Sequence, residues 1–191
     1  MWRVVLPCVV AACGYPSLAS NDPDGGGGGD GQTGCQAKSS YGNTLYTQAA
    51  EYSNSHDDMT YNGALTSGST TDLLQLDIQI PGPSFPHGPT TASITLTGNQ
   101  LTWDQCDVCV SIAAHCVNCT LDTGTPGSSY MVTQGTLTIT DAGQTTIGGT
   151  LTNAKFRHVN VADNGTATLA GDGCTTSIAS IAFETSVTVV Q

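Results

Sequence analysis

The chain has 191 residues, with 15 Asp plus Glu against 4 Lys plus Arg, a formal charge of -11 and only 10% charged residues. A surface this acidic is a poor partner for nucleic acid or for an anionic membrane. Eight cysteines and 23 glycines, together with abundant Ser and Thr, suit an exported β-protein better than a cytosolic enzyme.

Met1, Trp2 and Arg3 form a short positive n-region, and residues 4–12, VVLPCVVAA, are an apolar run. The run is too short to span a bilayer and suits the h-region of an export signal. Two processing sites compete. Val10, Ala11, Ala12 and Cys13 resemble a bacterial lipobox, in which Cys13 would be lipidated, whereas Ser17, Leu18 and Ala19 suit ordinary signal peptidase. The lipobox is preferred because the sequence that follows reads as a tether, although twelve residues ahead of the cysteine is short for such a signal. Either cut removes Arg3 and makes the mature chain more acidic still. The expected layout is a signal over residues 1–19, a Gly/Asp-rich flexible linker over 20–34 and a single β domain over 35–191. Asp22, Asp24 and Asp30 in the linker do not meet the EF-hand pattern.

Residues 44–52, TLYTQAAEY, fit a strand or a short helix equally well. Beyond them the β signals are steady, with strands predicted over 59–66, 72–80, 91–96, 102–112, 131–140, 145–154, 156–161, 167–169 and 177–190. Each is rich in Thr, Val, Ile and Leu, and turn clusters such as Asp141-Ala142-Gly143-Gln144 and Asp163-Asn164-Gly165 separate them. Leu73, Leu74, Leu76, Ile78 and Ile80 mark the clearest core strand. Residues 81–89, PGPSFPHGP, cannot continue a sheet interior and read as an exposed crossover. Eight to ten short strands without an amphipathic helix predict an all-β domain, an antiparallel sandwich or an open barrel, stapled by disulfides.

Either processing site leaves Cys35, Cys106, Cys109, Cys116, Cys119 and Cys174, an even number that reads as three disulfides in an oxidising compartment. Residues 101–120, LTWDQCDVCVSIAAHCVNCT, carry two C-x-x-C pairs, which in an intracellular protein would suggest zinc. Export disfavours zinc, and thioredoxin-like chemistry would need a helix that this chain does not show. The alternation from Thr102 to Ile112 reads as one strand, which would hold Cys106 and Cys109 on opposite faces, roughly 10 Å apart. Cys116 and Cys119 lie beyond it, where a turn can join them. Cys106, on the face of Val108, Val110 and Ile112, is then expected to meet Cys174, leaving Cys109 for Cys35.

The order of TYNGALTSGSTTDLLQLDIQI, LTWDQCDVCVSI, YMVTQGTLTITDAGQTTIGGTLTNAKFRHV and GDGCTTSIASIAF resembles a group of uncharacterised exported or lipid-anchored β-rich proteins of Gram-negative bacteria. The likeness covers about residues 59–183. It implies export and a β fold, and it carries no known activity.

Signatures of chemistry are sparse. There is no G-x-S-x-G elbow, HExxH, P-loop or dinucleotide fingerprint. His56, Asp57 and Asp58 form the densest polar cluster and could ligate calcium or zinc, and Asp163-Asn164-Gly165 with Asp172 could form an oxygen-rich calcium site at one end of the fold, although solvated loops and hairpin turns explain the same residues. His115 beside Cys116 reads as a turn residue. Lys155, Arg157 and His158 are the one basic patch expected in the mature chain, a place for an anionic ligand or a guard against edge pairing. Trp103, with Tyr41, Tyr46, Tyr52, Tyr61 and Tyr130, could offer stacking platforms to a glycan. The expected function is therefore a non-catalytic extracytoplasmic β-domain with a structural or ligand-binding role and no cofactor. It would touch the membrane only through a lipid anchor, as an outer-membrane or cell-surface lipoprotein, and its partner would be an extracellular polymer or protein. A secreted or periplasmic domain is the alternative in location; a metal-dependent hydrolase, a thiol oxidoreductase or a carbohydrate-binding module is the alternative in activity.

Overall fold

The computed structural model describes residues 35–54, 58–79, 91–98, 106–120, 124–162 and 165–190. Among these residues nine strands follow one another: β1 (Gln48–Ser53), β2 (Asp58–Ala64), β3 (Thr71–Gln79), β4 (Ala92–Thr97), β5 (Val108–Cys116), β6 (Ser128–Ala142), β7 (Thr146–Val161), β8 (Ala167–Leu169) and β9 (Thr175–Val190). They make one sheet in the order β4-β6-β5-β3-β2-β1-β9-β7-β8, and a further pairing of β6 with β7 turns it into a near-ring. The domain is thus all-β, with a sheet curled on itself in place of two stacked ones. Every pairing between strands is antiparallel except that of β1 with β9, where Ala50 lies beside Val187 and Ser53 beside Val190 in parallel.

Alternation explains the core. On β3, Leu74, Leu76 and Ile78 point inward and are essentially buried, and on β5 Val108, Val110, Ile112 and Ala114 do the same. With Tyr61, Tyr130, Leu137, Leu151, Phe156, Ile178 and Phe183 they fill the interior as one cluster. The outer face of β5 is covered as well. Cys109, Ser111 and Ala113 are buried there, and the Asn62 amide of β2 donates to the Thr120 carbonyl at 3.0 Å, so the chain leaving β5 folds back across the neighbouring strands.

Two predicted strands, 145–154 and 156–161, are one strand, β7. The reason is Asn153, which sits in the left-handed region at φ 51° and shifts the pairing with β6. Inward residues run Ile147, Gly149 and Leu151 before it and Ala154 and Phe156 after it, so the alternation changes phase without a break in the strand. Across from this bulge, Gly135 (φ 152°) leaves no room for a side chain: a Cβ there would lie 3.0 Å from the Cα of Ala154.

Three disulfides join the described residues: Cys35–Cys174, Cys106–Cys109 and Cys116–Cys119. The last is the one expected, in a turn where Asn118 takes φ 53° and the Cα atoms lie 5.8 Å apart. The other two pairings correct the expectation. The strand expected to start at Thr102 starts at Val108, and residues 106–107 bend ahead of it, which brings the Cα atoms of Cys106 and Cys109 to 5.4 Å. Cys35 then meets Cys174 because residues 35–41 run alongside the start of β9. The Tyr41 N–H donates to the Ser177 carbonyl at 2.9 Å, and Tyr41 bridges to Ile178 in parallel. Three disulfides in one domain suit an oxidising, extracytoplasmic compartment.

Candidate functional site

The bulge at Asn153 decides where the polar side chains of β7 go. Lys155 and Arg157 follow on the outer, exposed face, while His158 takes the inner face behind Phe156. The expected basic patch is therefore two cations, and its histidine belongs elsewhere. His158 pairs across the sheet with Tyr130 of β6, and the two rings stack with centroids 5.2 Å apart and planes inclined by 29°. On the other side its backbone N–H donates to the Cys174 carbonyl at 3.0 Å. That bond brings the turn before β9 against the imidazole.

The turn presents Asp172 between Gly171 and Gly173, both at φ 78°, a conformation that glycine adopts without steric cost. Its Oδ1 accepts the Cys174 N–H at 2.9 Å, and its Oδ2 lies 2.5 Å from His158 Nδ1. Burial alone would raise the pKa of this carboxyl, but the Cys174 N–H and the imidazole outweigh it and hold Asp172 below the usual carboxylate range. The side chains of His158 and Asp172 are 22% and 39% exposed, so the pair stands at the rim of the near-ring. Beneath it Tyr130 is fully buried, and its hydroxyl accepts the Ala37 N–H at 3.4 Å. Burial pushes that hydroxyl's pKa up, partly offset by the Ala37 N–H.

A second polar group sits deeper. The Tyr41 hydroxyl donates to Asp72 Oδ2 at 2.8 Å, and Asp72 Oδ1 accepts the His115 N–H at 2.7 Å. The Asp72 N–H in turn donates to Thr66 Oγ1 at 2.7 Å. Desolvation and the neighbouring carboxylate both raise the Tyr41 pKa, so the hydroxyl stays a donor. The buried carboxylate thus ties the N-terminal segment to the end of β5, a structural task. His115 is exposed at φ 54°, next to the Cys116 turn.

What the rim can do follows from the His158 tautomer. With Nδ1–H directed at Asp172, Nε2 is left as an acceptor, the arrangement that serves a general base or a metal ligand. A nucleophilic reading would need a thiol or hydroxyl to activate. The nearest cysteine, Cys174, is bonded to Cys35 and has no thiol to give. Compared with protein-family models, with curated proteins and with solved structures, the chain matches none.

The remaining candidates divide. Cys13, Trp103, His56, Asp57 and Asp163 lie outside the described residues. Asp58 opens β2 opposite Gln79, whereas the sheet row holding His158 passes through Tyr130, Ile112 and Leu74 to Gly63. Five strand residues separate Asp58 from that row, roughly 17 Å along the sheet, so Asp58 and Asp172 share no site. Among the described tyrosines, Tyr41, Tyr52, Tyr61 and Tyr130 are buried and cannot stack on a glycan; Tyr46, at 57% exposure, can. Sequence reasoning missed the pairing of His158 with Asp172. The only local signal was Asp172 between two glycines, because the phase change at Asn153 hid the direction of His158.

Proposed function

We propose that this chain is a surface-tethered, extracytoplasmic β-domain, anchored through a lipid on Cys13, whose role is structural or ligand-binding and not catalytic. The observation that carries the reading is the position of the Cys35–Cys174 staple. It fastens the chain to β9 just where the glycine-rich stretch gives way to the domain, so a pull on the tether would be borne by a covalent bond before it reached any hydrogen-bonded strand. The acidic, weakly charged composition and the resemblance to exported proteins support the same reading. For a ligand, an uncharged or weakly anionic extracellular polymer suits the pair Lys155 and Arg157 on the outer face of β7, with the Ser and Thr side chains that border them.

Mass spectrometry of the mature chain isolated from its host tests the tether. A diacylated or triacylated Cys13 at the N-terminus is the expected result. A start at Ser20 would replace the anchor by free secretion, and an unprocessed Met1 would overturn export altogether.

A further inference from the structure

Among the described residues, the one grouping of at least three candidate metal ligands is His158, Asp172 and Cys174, whose ligand atoms all lie within 4.8 Å of one another. Cys35 supplies a fourth, since its sulfur is bonded to that of Cys174. In the disulfide form the two sulfurs carry no charge and are poor ligands, which leaves one nitrogen and one carboxylate, too few for a closed site. We propose that the Cys35–Cys174 staple masks a tetrahedral site for a thiolate-preferring divalent ion such as zinc, assembled from Cys35, Cys174, His158 and Asp172 when both cysteines are thiols.

The four side chains are already gathered. A tetrahedral ion about 2.0–2.3 Å from its ligands holds them roughly 3.5 Å apart, so the bonded sulfurs and the His158 Nδ1–Asp172 Oδ2 pair, 2.5 Å apart, must part to admit it, while the widest separations, within 4.8 Å, draw in. The ligands arrive from separate supports: Cys35 from the segment beside β9, His158 from β7, and Asp172 and Cys174 from the turn that precedes β9. The imidazole is already oriented by stacking on Tyr130, and the Asp172 turn by the Cys174 N–H. Two sulfurs and one nitrogen favour zinc over calcium or magnesium. Opening the site balances simply. A dithiol reductant passes two electrons and two protons to the Cys35–Cys174 bond and becomes a disulfide itself; the entering cation then displaces both thiol protons to solvent. In a chain whose cysteines have not yet been oxidised, the ion would hold Cys35 and Cys174 together and away from the two C-x-x-C pairs.

The test uses the processed protein with Cys106, Cys109, Cys116 and Cys119 replaced by alanine, reduced under nitrogen so that Cys35 and Cys174 are its only thiols. Titration with cobalt(II) should give one equivalent bound, with a thiolate charge-transfer band and tetrahedral visible bands. Adding Cys35→Ser or His158→Ala should alter the visible bands and weaken binding at least tenfold, and zinc should displace cobalt from the variant that keeps all four ligands. Should that variant be unfolded when reduced and metal-free, equimolar zinc is expected to restore its circular dichroism, and the form with His158→Ala should not respond. Absence of the bands and of any zinc-driven folding when Cys35 and Cys174 are both thiols, or equal affinity with and without His158, overturns the proposal.

Discussion

Replacing Cys35 and Cys174 together by alanine opens a loop closed over a sequence separation of 139 residues. In the chain-entropy account, that bond restricts the unfolded ensemble by about 5 kcal/mol, against about 2 kcal/mol for a bridge spanning three residues. A domain of this size is typically stable by only about 5–15 kcal/mol, so the loss is a large share of the total. Removing Cys116 and Cys119 is the proper comparison, because Cys116 is buried and Cys119 partly so, while the bridge spans a separation of only 3. Urea unfolding of the unreduced variants, followed by tryptophan-independent circular dichroism, reads the difference. With a slope of about 1–3 kcal/mol per molar urea, the midpoint should fall by roughly 2 M for Cys35→Ala/Cys174→Ala and by about 1 M for Cys116→Ala/Cys119→Ala. Equal losses, or a larger loss from the short bridge, would refute the reasoning that loop length sets the order.

Three further outcomes are expected. Gly149→Ala should lower stability by about 1–3 kcal/mol, because a Cβ there would meet the Thr138 carbonyl and lie 2.8 Å from the Phe183 ring; an unchanged thermal midpoint would contradict the packing described. Tyr41→Phe should cost about 1.5–3 kcal/mol by leaving the buried Asp72 carboxylate one donor short, measured as a fall in the urea midpoint. Asp172 is held below its unfolded pKa, so its ionised form stabilises the fold above about pH 4, and that contribution is lost as pH falls through the lower folded value. Asp172→Asn should therefore be less stable than the parent at pH 7, with the gap narrowing as pH falls below about 4; a gap that stays constant through the acid range would mean the loss is not electrostatic.

The strands were legible where alternation is strong and local. Leu74, Leu76 and Ile78 announce β3, and its observed bounds differ from the expected ones by a residue at each end. Of the disulfides, the Cys116–Cys119 turn was legible and the other two pairings were not, because the argument about cysteine faces assumed a continuous strand through residue 106. A bend over two residues was enough to reverse it, since a one-step change of phase moves every side chain to the other face. The same physics split β7 at Asn153 and hid His158. β1 was ambiguous for a different reason: its buried residues, Ala50 and Tyr52, alternate for only three positions, and its partner β9 lies more than a hundred residues away. No local pattern carries such a pairing. The His158–Asp172 site inherits both difficulties, because it needs the phase of β7 and the return of the chain to the turn before β9.

The parallel pairing of β1 with β9 also fixes when this protein can become itself. Residues 50–53 of β1 have no neighbour on that side until residues 187–190 have been synthesised, so the seam of the sheet waits for β9. A polypeptide that emerges or is threaded N-terminus first must keep its earlier strands waiting, and the wide separation of these partners makes their meeting slow. Crossing a membrane as an unfolded thread is then no burden on the fold: the sheet has no way to lock before β9 has followed β1 through.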